Sequence, residues 1–333
     1  MVRNVSIPFQ LLKLPQKSIV YVLHRLLIAD LIGFSLISQT AKERTKHLGL
    51  KAKCVCIGID SQISILISLQ HDQTRFIFYT NEYRNPEHRL EEEESIKMSI
   101  DTRLGEWKTP KCCVKQFLDH VFEIFHEKTK VLSLRFTTDH YENALFDDLG
   151  GLEIEYFYMH SSPNSKSLTS QRALKQFSRA AKIINISHNP FPTESSIELQ
   201  RILIRNMGMV QLNRPMNYTL NDLFVTNAST VQAQIPVRDV NTFLKHWIRG
   251  IDRNFHFAYF FFEDHELEVE NAIEELFKNV NYQVAPAERL LILYPIGYQE
   301  ILHKGGYDVR RIDGTEATMD VYRNRAWMYI SSY

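Results

Sequence analysis

Net charge is the first thing missing from this sequence. Lys and Arg number 39 and Asp and Glu 39 across 333 residues, so no global basic field exists to hold a phosphate backbone. Nucleic acid is therefore not an expected partner. Cysteine is scarce: Cys54, Cys56, Cys112 and Cys113 are the whole set. Neither pair has the two-residue gap of a zinc knuckle, and no histidine pair completes a finger-type ligand set. No metal and no cofactor is expected, and reduced, packed thiols suit an intracellular site, cytoplasm or nucleus. A long uninterrupted apolar run is also lacking. The stretch from Ile19 to Ile37 comes near, but His24, Arg25 and Asp30 break it, and a central Arg or Asp costs about 2.5–3.5 kcal/mol on insertion. No small-residue cleavage site follows a clean apolar core, so neither membrane association nor secretion is expected. The sequons at Asn4, Asn185, Asn217 and Asn227 then carry no glycan.

Catalytic signatures are absent as well. The chain has no Gly-x-Gly-x-x-Gly, no Gly-Lys-Ser/Thr phosphate loop, no Gly-x-Ser-x-Gly elbow and no zinc-protease histidine pair. Gly150-Gly151 and Gly305-Gly306 read as turn residues. Asp139-His140 and Asp264-His265 are adjacent acid–histidine pairs, and neighbours on a strand point to opposite faces. Ser187, His188 and Asn189, before Pro190-Phe-Pro, stand where a strand ends and a loop begins, an edge that can carry binding. The chain is expected not to be an enzyme.

What is present is ordinary globular composition, 44% hydrophobic and 23% charged, enough for a sizeable core. Residues 7–48 read as compact and helical. Ile19, Val22, Leu23 and Leu26 fall at one helix face, Ala29 to Ser38 begins a second helix, and Lys42 to His47 reads as a solvated third. From Cys54 to Tyr79 short β-branched or aromatic runs, split by polar clusters, predict consecutive antiparallel strands. Glu91 to Glu94 reads as a solvated loop.

Beyond residue 110 strands and helices alternate. Val114 to Phe125, Gln171 to Ala181, Ser195 to Arg205, Leu220 to Thr226 and Val237 to Ile248 have helical spacing. Strand candidates at Val131, Leu152, Lys182, Met209, Val231 and His256 separate them, starting every roughly 22–30 residues, a period of β/α solenoids. Such units cannot bury their apolar faces alone and must stack. Phe243 and Trp247, four apart, read as core. Tyr307 to Ile312, the turn signal Asp313-Gly314, and two alternating runs at Ala317 and Ala326 predict a closing antiparallel hairpin over an open edge.

Two segments resemble a family. The first is Ile7 to His47, with Leu14-Pro15, Val20 to Leu27, Asp30-Leu31, Phe34-Ser35-Leu36-Ile37-Ser38 and the basic Lys42-Glu-Arg-Thr-Lys; it is similar to an F-box. The second, Arg238-Asp-Val-Asn-Thr-Phe-Leu-Lys-His-Trp-Ile-Arg-Gly, resembles the type 2 F-box-associated domain of the Sdz-type F-box family, as does the closing Gly306-Tyr-Asp-Val-Arg-Arg-Ile-Asp-Gly. Gln16-Lys17-Ser18 departs from the acidic residue usual after Leu-Pro. The resemblance implies an α/β chain with an F-box at 1–48, antiparallel strands and a loop at 49–109, and an irregular leucine-rich-repeat-like β/α solenoid with a capping hairpin at 110–333. It also implies a substrate-recognition subunit of a Skp–cullin–F-box ubiquitin ligase. In that subunit Pro8, Leu11, Leu14, Pro15, Val20, Leu23, Leu27, Leu31, Leu36 and Ile37 match the positions that face the Skp-family adaptor or the F-box's own core, and an unidentified protein is the substrate. The competing expectations are a solenoid scaffold with a degenerate F-box acting outside a ligase, and a small-molecule enzyme in the concave face of the array, which a deep pocket of converging ionisable groups would reveal.

Overall fold

A computed structural model describes residues 13–70, 72–81, 83–89, 95–100, 103–107, 113–125, 130–138, 140–160, 168–192, 196–213, 218–250, 256–262, 268–293 and 301–330. Pro8, Leu11, Cys112, the Glu91 to Glu94 run, Asp139, Asp264, His265, Asn4 and Asn217 lie outside these residues. The chain is mixed α/β. It divides into two compact units, the first running to Leu134 and taking in His140–Glu153, the second comprising the remainder. The expected boundaries at 48 and 109 both fall within the first unit.

In the first unit α1 (Gln16–Leu23), α2 (Ile28–Ile37) and α3 (Gln39–Lys46) precede β1 (Cys54–Ile59), β2 (Ile63–Ser68), β3 (Gln73–Tyr79), β4 (Ser95–Ile100) and β5 (Arg103–Trp107). Then come α4 (Val114–Ile124), β6 (Lys130–Phe136), whose last two residues Arg135 and Phe136 belong to the second unit, and the short α5 (Asn143–Asp148). The strands lie in the order β6-β1-β2-β3-β4-β5, antiparallel from β1 to β5. Period two decides the faces. Val55, Ile57, Ile59, Ile63, Ile65, Ile67, Phe76 and Phe78 are buried, while Cys54 and Cys56 sit half-buried on the other side. Phe117 of α4 packs on Phe76 and Phe78 at ring distances of 5.0 and 5.2 Å. The N-terminal helices belong to this core: Ile19, Leu23, Ile28, Leu31 and Ile32 are buried. Polar ties accompany the packing. The Ile28 amide donates to Asp72 Oδ2 at 2.8 Å, Ser35 meets His120 of α4 at 2.6 Å, and Lys42 pairs with Glu123.

The second unit begins with β7 (Glu153–Met159), α6 (Leu168–Ala180), β8 (Ala181–Ile186), α7 (Ser196–Leu203), β9 (Met207–Leu212), α8 (Leu220–Val225), β10 (Ala228–Gln234), α9 (Val237–Ile248) and β11 (Phe257–Phe261). It closes with α10 (Val269–Leu276), β12 (Gln283–Val284), β13 (Leu290–Leu293), β14 (Ile301–Lys304), β15 (Tyr307–Arg310), β16 (Glu316–Tyr322) and β17 (Arg325–Ile330). The order is β12-β15-β16-β17-β11-β10-β9-β8-β7, with β13 and β14 forming a separate hairpin. Strands β7 to β11 are parallel, and β15 to β17 add an antiparallel meander to β11. Helices fill one face. Phe177 of α6 meets Phe157 at 5.6 Å and Phe243 of α9 meets Phe260 at 5.3 Å, so Phe157, Met159, Ile184, Ile186, Val210, Leu212 and Phe260 form the apolar side.

The hairpin expected at Asp313-Gly314 joins β15 to β16. Two glycines there differ in a testable way. Gly314 has φ +92° and open space around its α-carbon. Gly306 has φ +104°, and a β-carbon would come within 2.8 Å of Thr318 Cγ2 and 2.9 Å of both His303 Nε2 and the Met319 carbonyl oxygen. Gly314→Ala should cost about 1–2 kcal/mol, the left-handed strain alone. Gly306→Ala should cost about 2 kcal/mol more, because a sheet carbonyl cannot retreat. Urea unfolding of the two variants side by side checks this, and equal losses would contradict it.

Candidate functional site

Two surfaces qualify. The first is on the N-terminal helices. Leu23 and Leu31, matched above to the F-box pattern, are buried in the unit's own core and are not surface in this structure. Leu14 and Val20 are half-buried and Pro15 is exposed at the start of α1. Leu27, Leu36 and Ile37 face solvent, the last two 41% and 72% exposed. Tyr21, which the apolar pattern passed over, is 60% exposed with the Arg25 guanidinium 3.8 Å above its ring. Helix α2 thus buries Ile28, Ala29, Leu31 and Ile32 and leaves the apolar pair Leu36 and Ile37 uncovered at its C-terminal end. Each large apolar side chain left in water forgoes about 1.5–3 kcal/mol of burial, and clustered exposure of this kind marks interaction sites.

The second surface is the face of β7 to β11 opposite the helices. Parallel register places Tyr158, Asn185, Gln211, Gln232 and Tyr259 in one row across successive strands, and the antiparallel pairing of β11 with β17 extends it to Trp327. Side-chain amides link its centre. Asn213 Nδ2 donates to Asn185 Oδ1 at 2.8 Å, Asn185 Nδ2 to Gln211 Oε1, and Gln211 Nε2 to Gln232 Oε1 at 2.6 Å. Asn185, the expected sequon, is therefore a buried structural amide. Tyr259 and Trp327 meet edge to face at 5.7 Å, joined by Phe257, Phe261 and Tyr329. Arg325 donates to the Tyr259 hydroxyl at 3.1 Å. At the other flank Tyr156, Tyr158 and His160 stand parallel, 6.2 and 6.3 Å apart. The Arg135 guanidinium lies 5.8 Å from the Tyr158 ring, and Ser187 Oγ is 2.6 Å from His160 Nδ1. Tyr156, Tyr158 and His160 were legible as a period-two aromatic series. Nothing local signalled Arg135.

The Asn-x-Phe-Leu-Lys-x-Trp motif turns out to be scaffold. Asn241 Nδ2 donates to the Leu276 and Lys278 carbonyls at 2.6 and 3.1 Å, satisfying acceptors that the end of α10 leaves open. Trp247 is buried, with Arg311 5.7 Å from its ring. The Ile312 amide donates to the Ile248 carbonyl at 2.9 Å, tying the closing hairpin to α9.

Residues 198–260 match the F-box associated family. The match runs from within α7 to within β11 and takes in Gln211, Gln232, Asn241, Phe243, Trp247 and Tyr259. No curated protein and no solved structure matches the chain. The F-box associated segment thus supplies the middle of the amide row and the helix that the hairpin docks on.

Among the described residues no group of three His, Cys, Asp or Glu side chains could hold a metal ion, and no helix is long and apolar enough to cross a membrane. A groove of about 1030 Å³ is lined by Arg238, Glu274, Glu275 and Lys278 around Phe277 and Tyr282. Three histidines sit below the usual range. Burial lowers His120, helped by Lys42 and opposed by Glu123. Burial lowers His160, helped by Arg135 and His188, and burial alone lowers His188. A depressed histidine makes the unfolded chain the stronger proton acceptor. Stability should therefore hold above about pH 6.5 and fall as pH drops through the folded values. Thermal unfolding between pH 7.5 and 5 checks this; a midpoint flat across that window would contradict it.

Proposed function

We propose that this chain is the substrate-recognition subunit of a Skp–cullin–F-box ubiquitin ligase, with an F-box at 1–48, and that it performs no chemistry itself. The observation that carries the reading is α2, which buries Ile28, Leu31 and Ile32 while presenting Leu36 and Ile37 to solvent. Such a helix suits docking into a partner's apolar groove. The match of residues 198–260 to the F-box associated family supports the same assignment. The adaptor links the chain to cullin, and the polar–aromatic face of β7 to β11 holds a protein substrate. One strand and one helix per step from β7 to β11 supports a leucine-rich-repeat-like solenoid, and the site of action is intracellular.

A scaffold outside any ligase is the second reading. Gln16, Lys17 and Ser18, exposed at the start of α1, stand where the F-box resemblance expects an acidic residue, which favours weak adaptor affinity. Direct binding of the intact chain to the Skp-family adaptor decides between them. Capture at micromolar concentration is the expected result, and none at that concentration removes the ligase reading. Deleting residues 1–48 is a poor substitute, since it strips Ile19, Leu23, Ile28, Leu31 and Ile32 from a folded core.

A further inference from the structure

We propose that the loop end of β7 and β8 is a binding site for a phosphate-type oxyanion, formed by Arg135, His160, Ser187 and His188. The proposal deepens the receptor reading by naming an anionic group on the captured protein, and it rests on that reading only for the ligand being a protein.

Position comes first. His160 follows β7 directly, and Ser187 and His188 follow β8. These are the carboxyl ends of parallel strands, outside which open β/α sheets bind ligands. Local contacts orient the groups. His160 stacks on Tyr158 within 8° of parallel, Arg135 leans on the same tyrosine, and the Ser187 hydroxyl is fixed on His160 Nδ1 at 2.6 Å. His188 supplies the unexplained part. Both its ring nitrogens are enclosed, and neither has a hydrogen-bond partner among the described residues. One of them must carry a proton, and an enclosed donor without an acceptor costs about 1–3 kcal/mol.

Charge selects the ligand. Among the described residues the charged groups that act on His160 are Arg135 and His188, both of which disfavour its protonation. Glu155 of β7 is taken by Lys182 at 3.2 Å, and Asn213, at the end of β9, is spent on Asn185. A guanidinium, two imidazoles and a hydroxyl, with no acid acting on His160 among the described residues, form a donor set for an oxyanion. A phosphate group, with a charge of about −1.5 to −2 near neutrality, would pair with the Arg135 guanidinium, favour protonation of the two imidazoles and give His188 its acceptor. The Ser187–His160 contact could also be drawn as a nucleophile and its base. Such a pair requires a third group to orient the base, and among the described residues no acid acts on His160.

The test uses the intact chain with inorganic phosphate as probe, followed through the histidine side-chain nitrogens by NMR between pH 6 and 8. Phosphate, but not chloride at equal ionic strength, should raise the titration midpoints of His160 and His188 saturably. Arg135→Ala, a surface change, should weaken this by about tenfold, as expected for loss of one charge-assisted contact. His188→Gln should do the same. A phosphoserine peptide binding tighter than inorganic phosphate assigns the anion to a protein, and equal affinity assigns free phosphate. No saturable response, or an undiminished response in Arg135→Ala, overturns the site. Covalent labelling of Ser187 by a fluorophosphonate would assign the pair to nucleophilic chemistry and also overturn it. Adaptor binding plays no part in these readouts, so loss of the receptor reading would leave the result standing.

Discussion

Leu36→Asp combined with Ile37→Asp should abolish capture of the Skp-family adaptor while the chain stays folded. Ile37 is 72% and Leu36 41% exposed on α2, so a carboxylate at each disturbs the core far less than one at a buried position. In the complex they would be buried. Losing two apolar anchors at about 1.5–3 kcal/mol each, and asking the groove to desolvate two charges instead, predicts a fall of at least about 100-fold in affinity. The contrast is Leu23→Asp, which places a charge inside the first unit and should unfold it. Titration calorimetry against the adaptor, beside a thermal melt of each variant, reads both effects. Unchanged affinity in the folded double variant would mean that α2 does not dock as proposed.

Trp247→Ala should be the most damaging single truncation in the second unit. The side chain is 1% exposed and lies on the face of α9 that also carries Phe243 and Leu244. Arg311, beside its ring, and the Ile312 amide on the Ile248 carbonyl make it the point where helix and closing hairpin meet. Truncation to alanine in such a core costs about 3–5 kcal/mol. Trp247→Phe separates packing from polarity. The indole Nε1 is buried without a hydrogen-bond partner among the described residues, so phenylalanine loses volume but relieves an unmatched donor. Its net cost should stay near about 1.5 kcal/mol, the upper range for a tolerated apolar exchange. Urea unfolding measures both, and a phenylalanine variant as unstable as the alanine one would show that the indole N–H has an acceptor.

Much of the second unit was legible because its elements are strongly patterned. Val240, Phe243, Leu244 and Trp247 repeat at helical spacing, and the expected bounds of α9 are the observed ones. Helix α10 was missed because Val269–Leu276 is acidic and buries only Ala272 and Leu276; α5 is six residues long. The docking surface was half legible. In Ile28–Ile37 nearly every position is apolar, so periodicity has no polar side to mark and could not tell Leu31, inside, from Ile37, outside. The oxyanion site was legible only as Ser187-His188 at a strand end. Its other members come from 52 and 27 positions before Ser187, and parallel register, not local spacing, unites them.

The row of amides from Asn213 to Gln232 has a chemical consequence. Its hydrogen bonds run head to tail, each side-chain oxygen accepting from one neighbour while the nitrogen donates to the next. Hydrolysis of the Asn213, Asn185 or Gln211 amide to an acid would replace a donor with a second acceptor and leave a negative charge facing the oxygen of the next side chain. Asn185 and Gln211 each serve a neighbour on both sides, so an acid at either one breaks the row at its centre.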